Sequence, residues 1–144
     1  DYCSNLHPPT WPDGQDVEAM TIDVLHRAWL GAGLQFEREH TTPYIWERPA
    51  EFRLLNVSWE TGLDYSMTHR WTIDYPEDYD LIRTVYDRLH TSSNSIFSVD
   101  DILALVDSDP TIGAINAHLV GVNWYRHHLA ELHTIEPSMT RVAP

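Results

Sequence analysis

Short β-prone runs along the chain predict a sheet. Apolar and polar residues alternate weakly from Val17 to Thr21, a second run rich in apolar residues extends from Phe52 to Val57, and a third extends from Arg70 to Ile73. Each of the three predicts a strand. The first five residues, DYCSN, are typical of an extended segment that leaves a sheet. Residues 6–16 hold three prolines and a Pro-Asp-Gly turn, which predict a structured loop.

Helical spacing of apolar residues follows these runs. Asp23 to Leu30 predicts a helix that Gly31 and Gly33 stop. A second helix is predicted from about Glu37 to Arg48, ends at Pro49, and tolerates Pro43 only near its first turn. The helix after Asp74 places five apolar side chains on one face, namely Leu81, Ile82, Val85, Tyr86 and Leu89.

Two more helices are predicted beyond a Thr-Ser-Ser-Asn-Ser linker at residues 91–95. Ser98 and Asp101 form a capping box of the S-x-x-D kind, and the helix that follows is predicted to run to about Val106. Apolar spacing from Ile112 to Leu132, interrupted by Gly121, predicts the last helix. The alternation of strands and helices indicates an α/β fold with helices covering a sheet.

Composition narrows the class of protein. The chain has 144 residues, of which 42% are hydrophobic, enough for one domain with a core. The formal net charge of −13 argues against a nucleic acid or an anionic membrane as the main partner. All nine Lys and Arg residues are arginine, so any lysine needed at a phosphate would have to come from outside these 144 residues.

The cysteine content and the length of the apolar runs indicate the compartment. Cys3 is the only cysteine, which excludes an intrachain disulfide and disfavours a cysteine-based zinc site. No apolar run approaches the ~18 residues of a membrane helix, and nothing resembles a signal peptide. We therefore expect a reducing compartment, the cytoplasm.

The stretch RWTIDYPEDYDLI, residues 70–82, is the first candidate for chemistry. Asp74 followed by Glu77 predicts a capping box with Pro76 in the first helical turn. Asp74 also ends the predicted strand, and open α/β sheets bind ligands at the carboxyl ends of their strands. A carboxylate there suits Mg²⁺, which takes one or two carboxylates together with substrate phosphates. The local pattern leaves both roles open.

Two further polar stretches and a group of histidines are candidates. WPDGQDVE, residues 11–18, places three acids around a glycine turn. These acids could bind a polyhydroxylated ligand or complete a metal site. The same pattern is equally typical of an Asx-type turn before an edge strand, with the acids in solvent. REHTTPY, residues 38–44, is predicted to open a helix and either binds a carboxylate or phosphate or forms an ordinary cap with a surface ion pair. The C-terminal histidines lack the i, i+4 spacing of a helical metal pair and are interpreted as surface or packing residues: His118, His127, His128 and His133.

Three stretches occur together in the order of a known family. SNLHPPTWPDGQDVE, REHTTPYI and RWTIDYPEDYDLI resemble the C-terminal part of the cytidylyltransferases of the spore coat polysaccharide biosynthesis type, which are similar to CMP-Kdo and CMP-sialic acid synthetases. The resemblance covers residues 1–90 well and residues 91–130 more loosely. It implies the C-terminal portion of a nucleotide-diphospho-sugar transferase-like, Rossmann-like three-layer α/β fold, with the nucleotidyltransferase part at residues 1–90 and a helical extension at residues 91–144.

The resemblance also implies a reaction and a set of site residues. A sugar hydroxyl would attack the α-phosphate of CTP and release pyrophosphate, with Mg²⁺ neutralising charge and Asp74 as its ligand. The expected partners are CTP, a sugar or sugar acid, and a second copy in a homodimer. The residues expected to bind the substrates are Asp13, Gln15, Asp16, Glu18, Arg38, Glu39, His40 and Arg70.

The sequence departs from this family in one respect. The glycine-rich phosphate loop with its Arg and Lys, and a second metal-binding aspartate, are absent from these residues. We therefore expect a fragment or one part of a split enzyme, inactive without an N-terminal nucleotide-binding half. A non-catalytic binding or assembly module, and a metal-dependent hydrolase that uses the acids and histidines, remain as alternatives.

Overall fold

The computed structural model describes residues 1–93 and 95–141. Asn94, in the predicted linker, lies outside the described residues. The chain divides into two compact units. The first unit consists of Asp1–Trp11, Asp16–Asp64 and the described residues from Val122 onward, and the second consists of Pro12–Gln15 and Tyr65–Gly121.

A three-stranded sheet lies in the first unit. Its central strand β1 (Tyr2–Ser4) is antiparallel to β2 (Glu18–Met20) and parallel to β3 (Leu54–Asn56). The predictions of strands within residues 17–21 and 52–57 are therefore confirmed. The order β2-β1-β3 means that the chain crosses over β1 between β2 and β3.

Helices occupy that crossover and cover one face of the sheet. They are α1 (Ile22–Gly31), α2 (Gln35–Glu39) and α3 (Pro43–Trp46). The prediction of one helix from residue 37 to residue 48 is wrong, because Thr41 has a positive φ of 65° and Pro43 starts a new helix.

The core of the first unit lies between these helices and the sheet. Tyr2 of β1 is buried there, together with apolar side chains from the three helices and from the C-terminal segment. The buried members are Tyr2, Val24, Ala28, Phe36, Ile45, Trp46, Phe52, Leu132 and Ile135.

The second unit contains α4 (Pro76–Leu89), α5 (Val99–Ser108) and α6 (Pro110–Ala114). Leu81 and Val85 are buried as the helical spacing predicts, whereas Tyr86 is 53% exposed. The predicted cap of α5 is confirmed, since the Ser98 hydroxyl accepts from the Asp101 amide at 3.2 Å and the Asp101 carboxylate accepts from the Ser98 amide at 2.7 Å.

Two predictions in this half of the chain are wrong. The run from residue 112 to residue 132 is not one helix, because α6 ends at Ala114, Gly121 has a φ of 76°, and only short 3-10 turns follow at Ala117–Leu119 and Trp124–His127. The run from residue 70 to residue 73 is not a strand, because it makes a single parallel bridge, between Arg70 and Asp13.

The described elements confirm a mixed α/β architecture with a small sheet. Three layers, and the division at residue 90, stay predictions. No helix in the described ranges is long and apolar enough to cross a membrane.

Candidate functional site

A buried arginine in the second unit holds three aspartates. Arg70 has a side chain that is 1% exposed. Its Nε and Nη2 donate to the two oxygens of Asp78, each at 2.9 Å, in the two-pronged geometry that a guanidinium forms with a carboxylate. Nη2 also donates to Asp74 at 2.8 Å, and Nη1 lies 3.4 Å from a carboxylate oxygen of Asp13. Asn116 completes the group by donating to the Arg70 carbonyl at 2.9 Å and to Asp78 at 2.8 Å.

Pro76 sets the position of these acids at the start of α4. A residue before proline favours an extended backbone, so Tyr75, with φ −124° and ψ 158°, becomes the residue that precedes the helix. The Asp78 carboxylate then accepts from the amides of Asp74 and Tyr75, both at 3.1 Å. The prediction that Asp74 and Glu77 form the capping box is therefore wrong by one residue, and Asp78 is the capping carboxylate.

The Pro-Asp-Gly turn brings Asp13 to the same arginine. Backbone bonds hold the turn along the segment that contains Arg70, since the Asp13 amide donates to His69 at 3.0 Å and the Asp13 carbonyl accepts from Trp71 at 2.7 Å. Gly14 has a φ of 99°, and a Cβ there would lie 2.6–2.8 Å from the backbone of Trp71 and Thr72. Only glycine permits this close approach without strain.

Electrostatics in the group are dominated by burial and by the guanidinium. Burial alone would raise the pKa of Asp78, but donors from Arg70, Asn116 and two backbone amides hold that pKa below its ordinary value. Burial would lower the pKa of Arg70, and its bonds to Asp78 raise that pKa instead. The side chains of Asp13 and Asp74 remain 26% and 60% exposed, so two carboxylates face solvent beside a buried cation.

The expected Mg²⁺ does not fit a site made by these residues alone. Within the described ranges, no group of three or more His, Cys, Asp or Glu side chains is arranged to hold a metal ion. Asp78 is fully buried and bound to nitrogen donors, and one oxygen of Asp74 is bound to Arg70. A guanidinium thus stands among the three carboxylates where a metal would need room. Mg²⁺, with Asp74 as a ligand, stays a prediction.

The first unit holds five of the other sequence-predicted site residues, which are Asp16, Glu18, Arg38, Glu39 and His40. Asp16 is exposed just before β2, and Glu18, in β2, accepts from the Tyr2 hydroxyl at 2.7 Å. Arg38 and Glu39 lie in the last turn of α2 rather than at a helix start, so a helix N-terminus does not support an anion there. Arg38 donates to the Trp29 carbonyl at 2.6 Å, and both Arg38 and Glu39 are exposed.

His40 belongs to an aromatic cluster. Its ring stacks on Trp124 at 4.0 Å with an interplanar angle of 13°, and His128 lies 5.9 Å from the same indole. Burial lowers the pKa of His40, Glu39 opposes that shift, and His128 adds to it. Trp124 was not predicted as a site residue, and the spacing along the chain gives no signal for this pairing.

A cavity of about 420 Å³ lies at the carboxyl ends of the parallel strands β1 and β3. Ser4 and Asn56, the last residues of these strands, line it together with His7, Trp46 and several aliphatic side chains. Burial lowers the pKa of His7 to about 4, while Glu47 opposes the shift. His7 Nε2 is buried and has no hydrogen-bond partner among the described residues.

Gln15 lines a smaller cavity of about 340 Å³ in the second unit, with Trp71, Phe97 and apolar residues of α4 and α5. Its backbone amide closes the turn by donating to Pro12 at 3.0 Å. The sequence-predicted residues are therefore distributed over two units. The Arg70 group brings together Asp13, Asp74 and Arg70 from that prediction and adds Asp78 and Asn116, which it missed.

Comparison with known proteins gives two matches. No protein-family model matches the sequence. An uncharacterized protein of Methanocaldococcus jannaschii is 31% identical over 106 residues, which cover 74% of this chain and 42% of that protein. A cytidylyltransferase from Leptospira borgpetersenii serovar Hardjo-bovis has a structure similar to this chain, with a TM-score of 0.68 and 26% identity, over 78% of this chain and 45% of its own.

The fold of this chain is thus similar to part of a cytidylyltransferase. The chain spans less than half the length of both proteins that it matches.

Proposed function

We propose that this chain is the C-terminal part of a nucleotidyltransferase that resembles the spore coat type of cytidylyltransferase. The reaction transfers CMP from CTP to a sugar or sugar acid, for polysaccharide or glycoconjugate synthesis. The oxygen of the acceptor hydroxyl forms a bond to the α-phosphorus of CTP. The bond between the α-phosphorus and the oxygen that bridges to the β-phosphate breaks, and pyrophosphate leaves with that electron pair. The hydroxyl proton passes to solvent. The structural similarity to the Leptospira cytidylyltransferase carries this proposal.

The Arg70 group supplies two of the roles. Asp13, which is half-buried, and Asp74, which is exposed, present carboxylates that are suited to accept hydrogen bonds from acceptor hydroxyls. Arg70 is buried to 1% exposure, so it acts by fixing the orientation of both carboxylates rather than by contact with a substrate. Asp78 and Asn116 in turn fix Arg70.

Binding and turnover test the proposal separately. Saturation-transfer NMR on the 144-residue chain with a panel of sugars and sugar acids is expected to show contacts that Asp13→Asn and Asp74→Asn each weaken. Asp80→Asn, at an exposed position of α4, is the matched control and leaves the signals unchanged. Pyrophosphate release from CTP is expected only when the portion of the Leptospira enzyme that this chain does not match is added.

Two outcomes would refute the proposal. One is release of pyrophosphate at the same rate by the Asp74→Asn variant and the wild type. The other is hydrolysis of a phosphate ester by the 144-residue chain without any nucleotide, which would favour the hydrolase alternative.

A non-catalytic binding module is the second candidate, and the Arg70 group favours it. The guanidinium already neutralises part of the charge on the three carboxylates, and the described residues alone form no metal site. Acceptor binding without turnover in the supplemented mixture would support this candidate over the enzyme.

A further inference from the structure

The outer side of helix α1 carries a row of exposed apolar side chains. α1 buries Val24 and Ala28 against the core of the first unit. On the opposite side, Ile22 is 75% exposed, Leu25 37% and Trp29 63%. These three residues follow the i, i+3, i+7 spacing of one helical face, so α1 is apolar on two opposite sides rather than on its inner side alone.

His26 completes this surface, here called the α1 outer face and defined as Ile22, Leu25, His26 and Trp29. The His26 ring is exposed and stacks on Trp29, with 5.8 Å between the ring centroids and an interplanar angle of 16°. None of the four side chains is a carboxylate or a guanidinium. A surface helix normally turns charged residues to solvent, so an apolar outer face in a chain with a net charge of −13 is typical of a surface that another molecule covers.

The area of this face is close to what a small dimer needs. An aromatic residue carries about 150–250 Å² of surface and an aliphatic one somewhat less, so the exposed fractions of the face, with the neighbouring Leu30 at 64%, leave roughly 400 Å² open. A standard interface buries about 800 Å² per partner, of which roughly 57–65% is apolar. The α1 outer face therefore supplies most of the apolar area that one side of such an interface requires.

The spacing of the face is the same from either end, which favours a second copy of this chain as the partner. The members stand at positions 22, 25, 26 and 29, so the pattern is centred between residues 25 and 26. A two-fold axis through this centre, relating two antiparallel copies of α1, would oppose Ile22 to Trp29 of the second copy and Leu25 to its His26. Each aliphatic side chain then meets an aromatic ring. Closed dimers use one patch twice in this way.

Two charged residues beside the face also favour the antiparallel arrangement. Asp23 and Arg27 are exposed and lie on the same flank of the face. The two-fold axis would bring Asp23 of one copy to within roughly 1.5 Å, along the helix axis, of Arg27 of the second copy. A parallel pair would set these charges on opposite flanks, where they could not meet. The guanidinium of Arg27 lies over the Phe52 ring at 4.2 Å and 3.4 Å from the Glu51 carbonyl, in a side chain that stays exposed.

We propose that the α1 outer face is the contact between two copies of this chain, in which the two α1 helices pack antiparallel about a two-fold axis between residues 25 and 26. The family resemblance implies a homodimer without a surface for it, and α1 supplies that surface. The inference rests on α1 alone and is independent of the proposed function. The small apolar area indicates reversible association, with a dissociation constant in the micromolar range.

Sedimentation equilibrium of the 144-residue chain tests the contact. Concentrations between roughly 1 and 200 µM bracket a micromolar dissociation constant. Trp29→Glu places a charge on the α1 outer face and is expected to raise the dissociation constant at least about tenfold. Leu55→Glu is the matched control, because Leu55 is also 63% exposed but lies in β3, and it should leave the constant unchanged. Circular dichroism of each variant confirms that it is folded.

Cysteine cross-linking tests the antiparallel geometry. In a chain with Cys3 replaced by serine, His26→Cys places a thiol about 1.5 Å, along the helix axis, from its counterpart in the second copy, so oxidised glutathione should join the two chains. Ile22→Cys lies about 10 Å along the axis from its counterpart and should not cross-link. A parallel pair would cross-link at both positions.

Three results would overturn the proposal: a monomer at every concentration, a dimer that Trp29→Glu leaves intact, or cross-linking that is equally efficient at positions 22 and 26. A dimer that Leu55→Glu abolishes would place the contact on the sheet instead. Pyrophosphate release does not enter these measurements, so failure of the proposed function would leave their outcome unchanged.

Discussion

Replacing Arg70 by methionine should destabilise the second unit strongly. The change removes the guanidinium but keeps an unbranched side chain of similar length in the buried site. Asp78, whose side chain is 0% exposed, then loses two of its donors and becomes a buried charge without a cation. Breaking a buried ion pair at one partner costs about 3–5 kcal/mol, so we expect the free energy of unfolding at pH 7 to fall by that amount.

The loss should depend on pH in a definite direction. In the wild type, the pKa of Asp78 lies below its ordinary value, so the pair stabilises the fold above about pH 4 and that stabilisation is lost as pH falls through the folded pKa. In the variant, burial acts without the guanidinium and raises the pKa of Asp78. The folded variant then accepts a proton more readily. The difference in unfolding free energy should therefore be smallest in acid and grow as the pH rises to 7.

Urea unfolding followed by circular dichroism, between pH 3 and pH 7, measures both quantities. Arg83→Met is the matched control, because Arg83 forms an ion pair with Asp80 at 3.2 Å on the surface of α4, with both side chains more than half exposed. That pair should be worth less than about 1 kcal/mol. A loss below about 1 kcal/mol for Arg70→Met, or a loss that is equal at pH 3 and pH 7, would refute the reasoning.

Three other predictions concern the turn, a histidine and the metal. Gly14→Ala should lower the free energy of unfolding in urea by more than about 1 kcal/mol, because Gly14 has a positive φ and an added Cβ would meet backbone atoms. Gly33→Ala, which adds a Cβ in open space, should not cost as much. Equal costs of the two variants would contradict this reasoning. The ring of His7, with a pKa of about 4, should show no NMR titration between pH 5 and pH 8. The free energy of unfolding should fall as the pH drops from 6.5 toward 4, because the unfolded chain takes up the proton at a higher pH than the folded chain. A titration midpoint near 6.5 would refute this prediction. Calorimetry should show no Mg²⁺ binding to the 144-residue chain alone, because its described residues arrange no group of three metal ligands. Binding that Asp74→Asn abolishes would support Asp74 as a metal ligand.

Features set by neighbours in sequence could be predicted. The capping box of Ser98 and Asp101 depends on a spacing of three residues, and the burial of Leu81 and Val85 depends on helical periodicity alone. At α4 the sequence pattern marks the capping acids but misplaces the capping box by one residue. Glu77 and Asp78 are both acidic, and the conformation that Pro76 imposes on the residue before it decides between them.

Features set by residues far apart could not be predicted. Asn116 bonds to Arg70 and Asp78 across 46 and 38 positions, and no local pattern marks it. The bridge between Arg70 and Asp13 spans 57 positions and replaces the strand that the run from residue 70 to residue 73 predicted. A β-prone run becomes a strand only if a partner extends alongside it, and the partner is a tight turn here.

The exclusive use of arginine has a structural consequence at residue 70. A guanidinium offers donors in a planar fork, and here Nε, Nη1 and Nη2 reach carboxylates from a turn, from the bend before α4 and from α4 itself. A lysine has one compact ammonium and could not hold Asp78 with two parallel bonds while also reaching Asp74 and Asp13. The same bonds that stabilise the second unit therefore fix the solvent-facing carboxylates of Asp13 and Asp74. For this reason, stability and the geometry of the candidate site should change together when Arg70 is altered.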